Sequence, residues 1–152
     1  MTYSDQVIEH FYRPRNFGQI QNPDGVGEVG NISCGDVMKI YIKVGLDEEG
    51  EEMVENIKFE TFGCVAAIAT SSMISELALG QKLTKAMEIK NEDIVDELGN
   101  LPLPKIHCSV LAAEALSEAI YDYLTKTKQA IPSKLEKRHQ RIQKNQEAFQ
   151  EI

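Results

Sequence analysis

The sequence predicts an α+β fold in which several helices pack on a three-stranded antiparallel sheet. Residues 36–44 alternate apolar and polar side chains, as a half-buried strand does, and the alternation returns from Val54 to Phe62 after the charged turn LDEEGEE. The period then changes, because residues 64–75 carry no charge and their apolar side chains recur at helical spacing. Strands followed by helices favour an α+β arrangement.

The N-terminal part of the chain is predicted to supply one helix and the third strand. Residues 4–12 show helical apolar spacing, and Pro14 ends that helix. Residues 13–25 are rich in Pro, Gly, Asn and Gln, which predicts an extended stretch. Residues 26–32 then predict a weaker strand at the edge of the sheet, which completes an antiparallel meander.

The C-terminal half is predicted to be helical. The uncharged helix ends near Gly80, Leu83 to Leu98 forms one or two short helices, and residues 108–124 form a strongly amphipathic helix. The tail repeats one apolar residue per heptad, too thin a seam to predict a coiled coil, at Leu135, Ile142 and Phe149. We therefore divide the chain into a domain of residues 1–128 and a basic, helical C-terminal tail of residues 129–152.

The 152 residues carry a formal net charge of −8 that is unevenly distributed. Residues 1–125 contain nine Lys/Arg against twenty-one Asp/Glu, whereas residues 126–152 contain seven against three. We expect no nucleic-acid partner, because an acidic body repels phosphates. The basic tail is either a solvated terminal helix or an interaction arm.

Neither a membrane segment nor an export signal is predicted. No apolar run approaches the ~18 residues that span a bilayer. The opening segment MTYSDQVIEHFYRPRN lacks the apolar region of a signal peptide. We therefore expect a cytoplasmic protein without a membrane partner.

Three cysteines are the candidate functional residues. In a reducing compartment, an odd number favours metal or reactive-thiol chemistry over a disulfide framework. Cys34 lies in the loop SCGD before a strand, while Cys64 and Cys108 are predicted at helix N-termini, where the helix dipole favours a thiolate. Lys105 and His107 add positive or polar character near Cys108. Three buried thiols without a ligand are the alternative, and Cys64 is the easiest to explain in this way.

A tetrahedral metal site needs a fourth ligand besides three thiolates. Asp36 is two residues from Cys34, and His107 is adjacent to Cys108, so either side chain can complete the set. Such a set suits zinc or an iron–sulfur cluster. The sequence leaves the choice between Asp36 and His107 open.

Four segments resemble one known family. The motifs SCGD, TFGC and KIHCS, in this order, look like the three ligand motifs of the IscU family, which includes the N-terminal domain of NifU. The segment YSDQVIEHFYRPRNFG resembles the opening segment of that family, and the likeness runs from about Tyr3 to Leu124. The resemblance implies an α+β domain with a three-stranded sheet.

The resemblance also implies a function as a scaffold or carrier rather than an enzyme. Such a scaffold receives sulfur from a cysteine desulfurase, builds a transient 2Fe–2S cluster and delivers it to apo iron–sulfur client proteins, and zinc can occupy the same site. Carried over by motif, the ligands are Cys34, Asp36, Cys64, His107 and Cys108, with Cys108 as the persulfide acceptor. We further expect Asp36 to make the cluster labile, because a hard carboxylate is a poorer partner for iron than a thiolate.

This sequence departs from the family pattern at two places. The chaperone-recognition motif of the family is typically LPPVK, whereas Leu101 to Lys105 reads LPLPK, which leaves a chaperone partner in doubt. Val65 follows Cys64 where Gly or Ala is frequent, and it is bulky enough to shield the site.

Three other functions use the same residues. A zinc-gated sulfur-transfer protein would need the cysteines but no lasting cluster, and a structural zinc domain would unfold without its metal. A cysteine-nucleophile enzyme would need His107 to reach Cys108, whereas we expect adjacent side chains at a helix start to point apart. His10 and His139 are expected at the surface. The sequence leaves the resident metal and a homo-oligomeric state open.

Overall fold

Three antiparallel strands form the sheet that the alternating segments predict. The computed structural model describes residues 2–30 and 35–150. The strands are β1 (Gly25–Gly30), β2 (Val37–Leu46) and β3 (Glu52–Phe62), and their order in the sheet is β1-β2-β3. The sheet confirms the predicted fold class. The last two residues of the predicted 26–32 strand lie outside the described part of the chain.

A β-bulge between Lys43 and Val44 changes which residues of β3 face the core. Val54 and Ile57 are both fully buried although an odd number of positions separates them. A strict alternation would place them on opposite faces of the sheet. The bulge inserts one extra residue into β3 between them, so both side chains face the core. Phe59 then follows Ile57 on the same buried face, as predicted.

Six α-helices and one 3₁₀ helix surround the sheet in the described chain. They are α1 (Asp5–Tyr12), α2 (Val65–Ala78), α3 (Leu83–Ala86), α4 (Asn91–Glu97), the 3₁₀ helix Leu103–Lys105, α5 (Ile106–Lys126) and α6 (Ser133–Gln150). Helices α2 and α5 pack on the sheet. Among these helices, none combines the length and apolar content needed to cross a bilayer.

Helix α5 lies unusually close to strand β1. A Cβ added at Gly27 would collide with the carbonyl oxygen of Ala115 and the backbone nitrogen of Ala119. Only a residue without a side chain fits this contact. The Asp122 carboxylate in turn accepts a hydrogen bond from the Val26 N–H at 2.9 Å, which ties the helix to the edge strand.

Helix α6 packs against α5 and β1. Two of its three heptad-spaced apolar residues, Leu135 and Ile142, are buried. The carboxylate of Glu118 on α5 accepts hydrogen bonds from His139 Nδ1 at 2.7 Å and from Gln143 Nε2 at 2.6 Å. The tail is therefore a helix that packs on the acidic body, while the boundary at residue 128 stays a prediction.

Both histidines expected at the surface make internal contacts instead. His10 is buried, and its Nδ1 lies 2.7 Å from the Ser72 hydroxyl of α2. His139 stacks on the Tyr121 ring with centroids 3.6 Å apart. The surface expectation was wrong for His10, whereas the His139 side chain is 23% exposed and lies partly at the surface. Both sets of contacts come from residues distant in sequence.

Candidate metal site

One end of the sheet carries the candidate site. Gly30, Val37 and Phe62 face one another across the three strands and form what we call the strand-end row. Asp36 lies directly before the first residue of β2, and Cys64 lies two residues after the end of β3. The strand ends therefore bring together residues that are 28 positions apart.

Four of the five predicted ligands converge at this end. The Cys108 sulfur lies 3.6 Å from Asp36 Oδ2, 4.0 Å from the Cys64 sulfur and 3.6 Å from His107 Nε2. The Cys64 sulfur lies 4.0 Å from Asp36 Oδ2. Ligand atoms of Asp36, His107 and Cys108 all lie within 4.8 Å of one another. The fifth residue, Cys34, lies outside the described residues.

These separations suit the coordination of a single ion. Two thiolates bound to one tetrahedral zinc at ~2.3 Å lie about 3.8 Å apart, and a thiolate lies about 3.6 Å from an oxygen or nitrogen ligand. The distances from Cys108 to Asp36 and to His107 equal the second value, and its distance to Cys64 is close to the first. The ligand atoms of Asp36, His107 and Cys108 are therefore spaced as around one metal ion, and Cys64 lies 4.0 Å from two of them.

Helix termini hold the two described cysteines in place. Cys64 is the N-cap residue of α2, and Cys108 is the third residue of α5. The Thr70 hydroxyl of α2 donates to the Ala66 carbonyl oxygen at 2.8 Å and lies 3.3 Å from the Cys108 carbonyl oxygen, so α2 and α5 are in contact beside the site. Both sulfurs therefore lie where helix dipoles favour negative charge.

Helix α5 begins at Ile106, two residues earlier than predicted. The 3₁₀ helix Leu103–Lys105 leads directly into it, so His107 and Cys108 lie in its first turn. Pro104 fits there because the first turn of a helix leaves N–H groups unpaired. The expectation that His107 points away from Cys108 was also wrong, since Nε2 lies 3.6 Å from the sulfur.

Glycines give the Asp36 carboxylate its space. Gly35 adopts a φ of +73°, a left-handed conformation that strains other residues. A Cβ added at Gly63 would lie 2.9 Å from Asp36 Oδ1, closer than an ordinary contact. Gly63 therefore leaves room for the Asp36 side chain, whereas Gly35 is favoured by its backbone conformation.

The electrostatics of Cys108 differ from the prediction. Burial raises the pKa of its thiol above the ordinary value of 9.0, and the negative charges of Cys64 and Asp36 raise it further. Lys105 interacts more strongly with Cys64 than with Cys108, because the charge of Cys64 is the largest cause that raises the Lys105 pKa. In the protein without metal, Cys108 therefore keeps its proton more strongly than a free cysteine does.

Asp36 is a buried carboxylate, with 6% of its surface exposed. Among the residues that the structure describes, no Lys, Arg or His nitrogen lies within 4.0 Å of it. A buried charge without a counter-ion is costly. A metal cation at this position would offset that cost and would also lower the pKa of the neighbouring thiols.

Tyr3 is a neighbour of the site that was not predicted. Burial raises the pKa of its hydroxyl, and the charge of Cys64 is the second cause, which places Tyr3 close to that sulfur. The Ser4 hydroxyl donates to the Leu98 carbonyl oxygen and accepts from the Val7 N–H, so the residue next to Tyr3 is tied both to α1 and to the end of α4. No local pattern marks Tyr3, since its proximity depends on how α1 docks.

The sequence is similar to those of known proteins. The family of NifU-like N-terminal domains matches residues 2–130. The chain is 53% identical over 124 residues to the iron–sulfur cluster assembly scaffold protein IscU 1 of Archaeoglobus fulgidus, covering 82% of this chain and 78% of that protein. It is 49% identical over 129 residues to IscU of Escherichia coli, covering 83% and 97%.

A solved structure shares the fold. The crystal structure of the N-terminal part of a NifU-like protein from Brucella abortus superposes with a TM-score of 0.60. The match covers 80% of this chain and 94% of that one, at 18% sequence identity. At this identity the likeness supports the fold alone.

Proposed function

Because the chain belongs to the family of NifU-like N-terminal domains, we propose that it is a scaffold on which an iron–sulfur cluster is assembled and handed on, and not an enzyme. The observation that carries this proposal is the convergence of the Asp36 carboxylate with the Cys64 and Cys108 thiols within 4.0 Å. Its relatives named IscU support the scaffold role.

The cargo that we propose is a 2Fe–2S cluster. Cys34, Cys64 and Cys108 supply the soft thiolates that iron–sulfur clusters prefer. Asp36 and His107 both lie close enough to Cys108 to complete the set, so the fourth ligand is one of these two. Cys34 enters this set through its motif.

Sulfur reaches the site by transfer to Cys108. Its thiolate attacks the terminal sulfur of the cysteine persulfide on a desulfurase, the old sulfur–sulfur bond breaks, and the desulfurase leaves as a thiolate. Cys108 then carries the persulfide, and no electrons are gained or lost. The Cys108 proton must leave first, and His107 Nε2 and the Asp36 carboxylate, each 3.6 Å from the sulfur, can accept it. Mass spectrometry after incubation with desulfurase and cysteine should find the added sulfur on Cys108. If the sulfur is found only on Cys34, then Cys34 and not Cys108 is the sulfur acceptor.

Release of the cluster depends on Asp36. A carboxylate binds iron less tightly than a thiolate does, so with Asp36 as the fourth ligand it is the one that a client's thiolate displaces first. In Asp36→Ala the cluster should survive a chelator challenge longer than in the wild type. An unchanged or shorter lifetime would contradict this role.

Partner proteins need a surface beside the site. Phe62, two residues before Cys64, is 84% exposed, and Leu103, four residues before His107, is 87% exposed. Exposed apolar side chains that lie together mark surfaces that protein partners cover, and both of these residues lie close in sequence to a candidate ligand. We propose that a desulfurase and the apo client proteins dock here. The alternative is that a second copy of the chain covers this surface. Sedimentation of the isolated protein shows whether it forms such a dimer.

The runner-up function is a zinc-gated sulfur-transfer protein. It is favoured by the distances around Cys108, which fit a single tetrahedral ion. In that case zinc would mask the Cys108 thiolate until a partner removes the metal.

One experiment separates the two functions. The protein is reconstituted without oxygen with iron, cysteine and a desulfurase, and absorption spectra are recorded before and after an apo-ferredoxin is added. Visible absorption that forms on this protein and moves to the ferredoxin would support the scaffold. Retained zinc with no chromophore, together with persulfide on Cys108, would support the sulfur-transfer protein instead.

A further inference from the structure

Helix α6 has no role in the function proposed above. The family match ends at residue 130, whereas α6 spans Ser133–Gln150. Near its C-terminal end, however, one polar side chain contacts the sheet. Gln146 is half-buried against β1, in a helix whose neighbouring Asn145 and Glu147 are exposed.

Gln146 binds both backbone groups of the last residue of β1. Its Oε1 accepts a hydrogen bond from the Gly30 N–H at 3.2 Å, and its Nε2 donates to the Gly30 carbonyl oxygen at 3.0 Å. In an antiparallel pair the backbone groups of alternate residues point away from the neighbouring strand. Those of Gly30 point away from β2, on the side of β1 where the described sheet has no further strand. The side-chain amide therefore pairs with Gly30 as a residue of a fourth strand would.

This contact extends the strand-end row. Gly30 faces Val37, and Val37 faces Phe62. Asp36 precedes Val37, and Cys64 follows Phe62 by two residues, so the row supports two of the candidate ligands. Strand ends fray more readily than strand centres, and an edge strand has neighbours on one side only. Gln146 supplies the missing neighbour at the residue where fraying would start.

We propose that Gln146 is a positioning residue, which holds Gly30 in the strand-end row and thereby slows the loss of metal from the site. The effect on metal rests on the proposed function, whereas the effect on Gly30 does not. Gln146 itself contacts no ligand atom among the described residues. It acts through Gly30 and Val37.

The test uses Co²⁺ bound to the full-length protein, since its absorption reports thiolate ligation, and measures its release to a chelator. In Gln146→Ala the release should be faster by about five- to thirtyfold, because two hydrogen bonds to Gly30 are lost and each corresponds to about fivefold. Gln140→Ala is the matched control, because the Gln140 side chain is exposed and donates to Glu136 within α6. Its release rate should equal that of the wild type.

A second variant separates positioning from loss of stability. Ile142→Val weakens the packing of α6 without touching Gly30, and its urea unfolding is compared with that of Gln146→Ala. Release that is equally fast in both variants, or unchanged in Gln146→Ala, would overturn the proposal. Release that is accelerated only in Gln146→Ala would support it.

Amide exchange of Gly30 in the metal-free protein provides an independent readout. Its N–H should exchange with solvent faster in Gln146→Ala than in Gln140→Ala, because only the first variant removes its acceptor. Equal exchange in both would overturn the proposal even if cobalt release changed. Failure of the wild type to bind cobalt would contradict the proposed function, and the Gly30 exchange would still decide whether Gln146 holds the row.

Discussion

Gly63 controls the space that is available to the Asp36 carboxylate. An added Cβ would lie 2.6 Å from the Cβ of Ala67 and 2.9 Å from Asp36 Oδ1. Carbon atoms in ordinary contact are about 3.5–4.0 Å apart, so Ala67 would have to move by roughly 1 Å and the Asp36 oxygen by roughly 0.5 Å. The φ of Gly63 is not in the left-handed region, so a larger residue strains the contacts rather than the backbone.

The substitution Gly63→Ala should therefore affect both stability and metal binding. Overpacking of this kind costs about 1–3 kcal/mol of the free energy of unfolding. Displacing Asp36 from its position should weaken metal binding by about 10- to 100-fold, the range seen when a metal ligand loses its support. Urea unfolding of the metal-free protein measures the first quantity, and titration with Co²⁺ measures the second.

A double variant separates the two contacts. Ala67→Gly removes the nearer obstacle, so Gly63→Ala combined with Ala67→Gly should lose the Ala67 contact but keep the contact with Asp36. Its cobalt affinity should stay low. If Gly63→Ala binds cobalt as tightly as the wild type, the Asp36 carboxylate either is not displaced or is not a ligand, and the reasoning fails.

The elements of the fold were predictable because each has a local signal. The alternation in residues 36–44 and the uncharged apolar period after Gly63 depend only on neighbours in sequence. The bulge at Lys43 and Val44 was not predicted, because a shift of register depends on the partner strand. The sequence does not mark the true start of α5, because two prolines precede its first turn and prolines are typical of turns.

The site was predictable in composition but not in chemistry. Spacings of 30 and 44 residues between the cysteines indicate no shared site by themselves, and the family resemblance supplied the grouping. The pKa of Cys108 could not be predicted, because its main cause is burial, and burial depends on how α2 and α5 pack. The same limit applies to His10, whose partner Ser72 is 62 residues away.

Two further predictions concern groups away from the site. Burial, followed by the charge of Arg15, lowers the pKa of His10 below its ordinary 6.5, so the unfolded chain binds this proton more readily. The free energy of unfolding should therefore fall as the pH drops below about 6.5, by at most ~1.4 kcal/mol per pH unit from this group; an equal slope in His10→Asn would contradict this. Helix α6 is tested by Ile142→Ala, because Ile142 is 0% exposed and truncating a buried isoleucine costs about 2–5 kcal/mol. Lys144→Ala, at an exposed position of the same helix, should stay within about 0.5 kcal/mol of the wild type. Urea unfolding measures both, and an equally small effect of Ile142→Ala would mean that α6 is a solvated helix in solution rather than a layer of the fold.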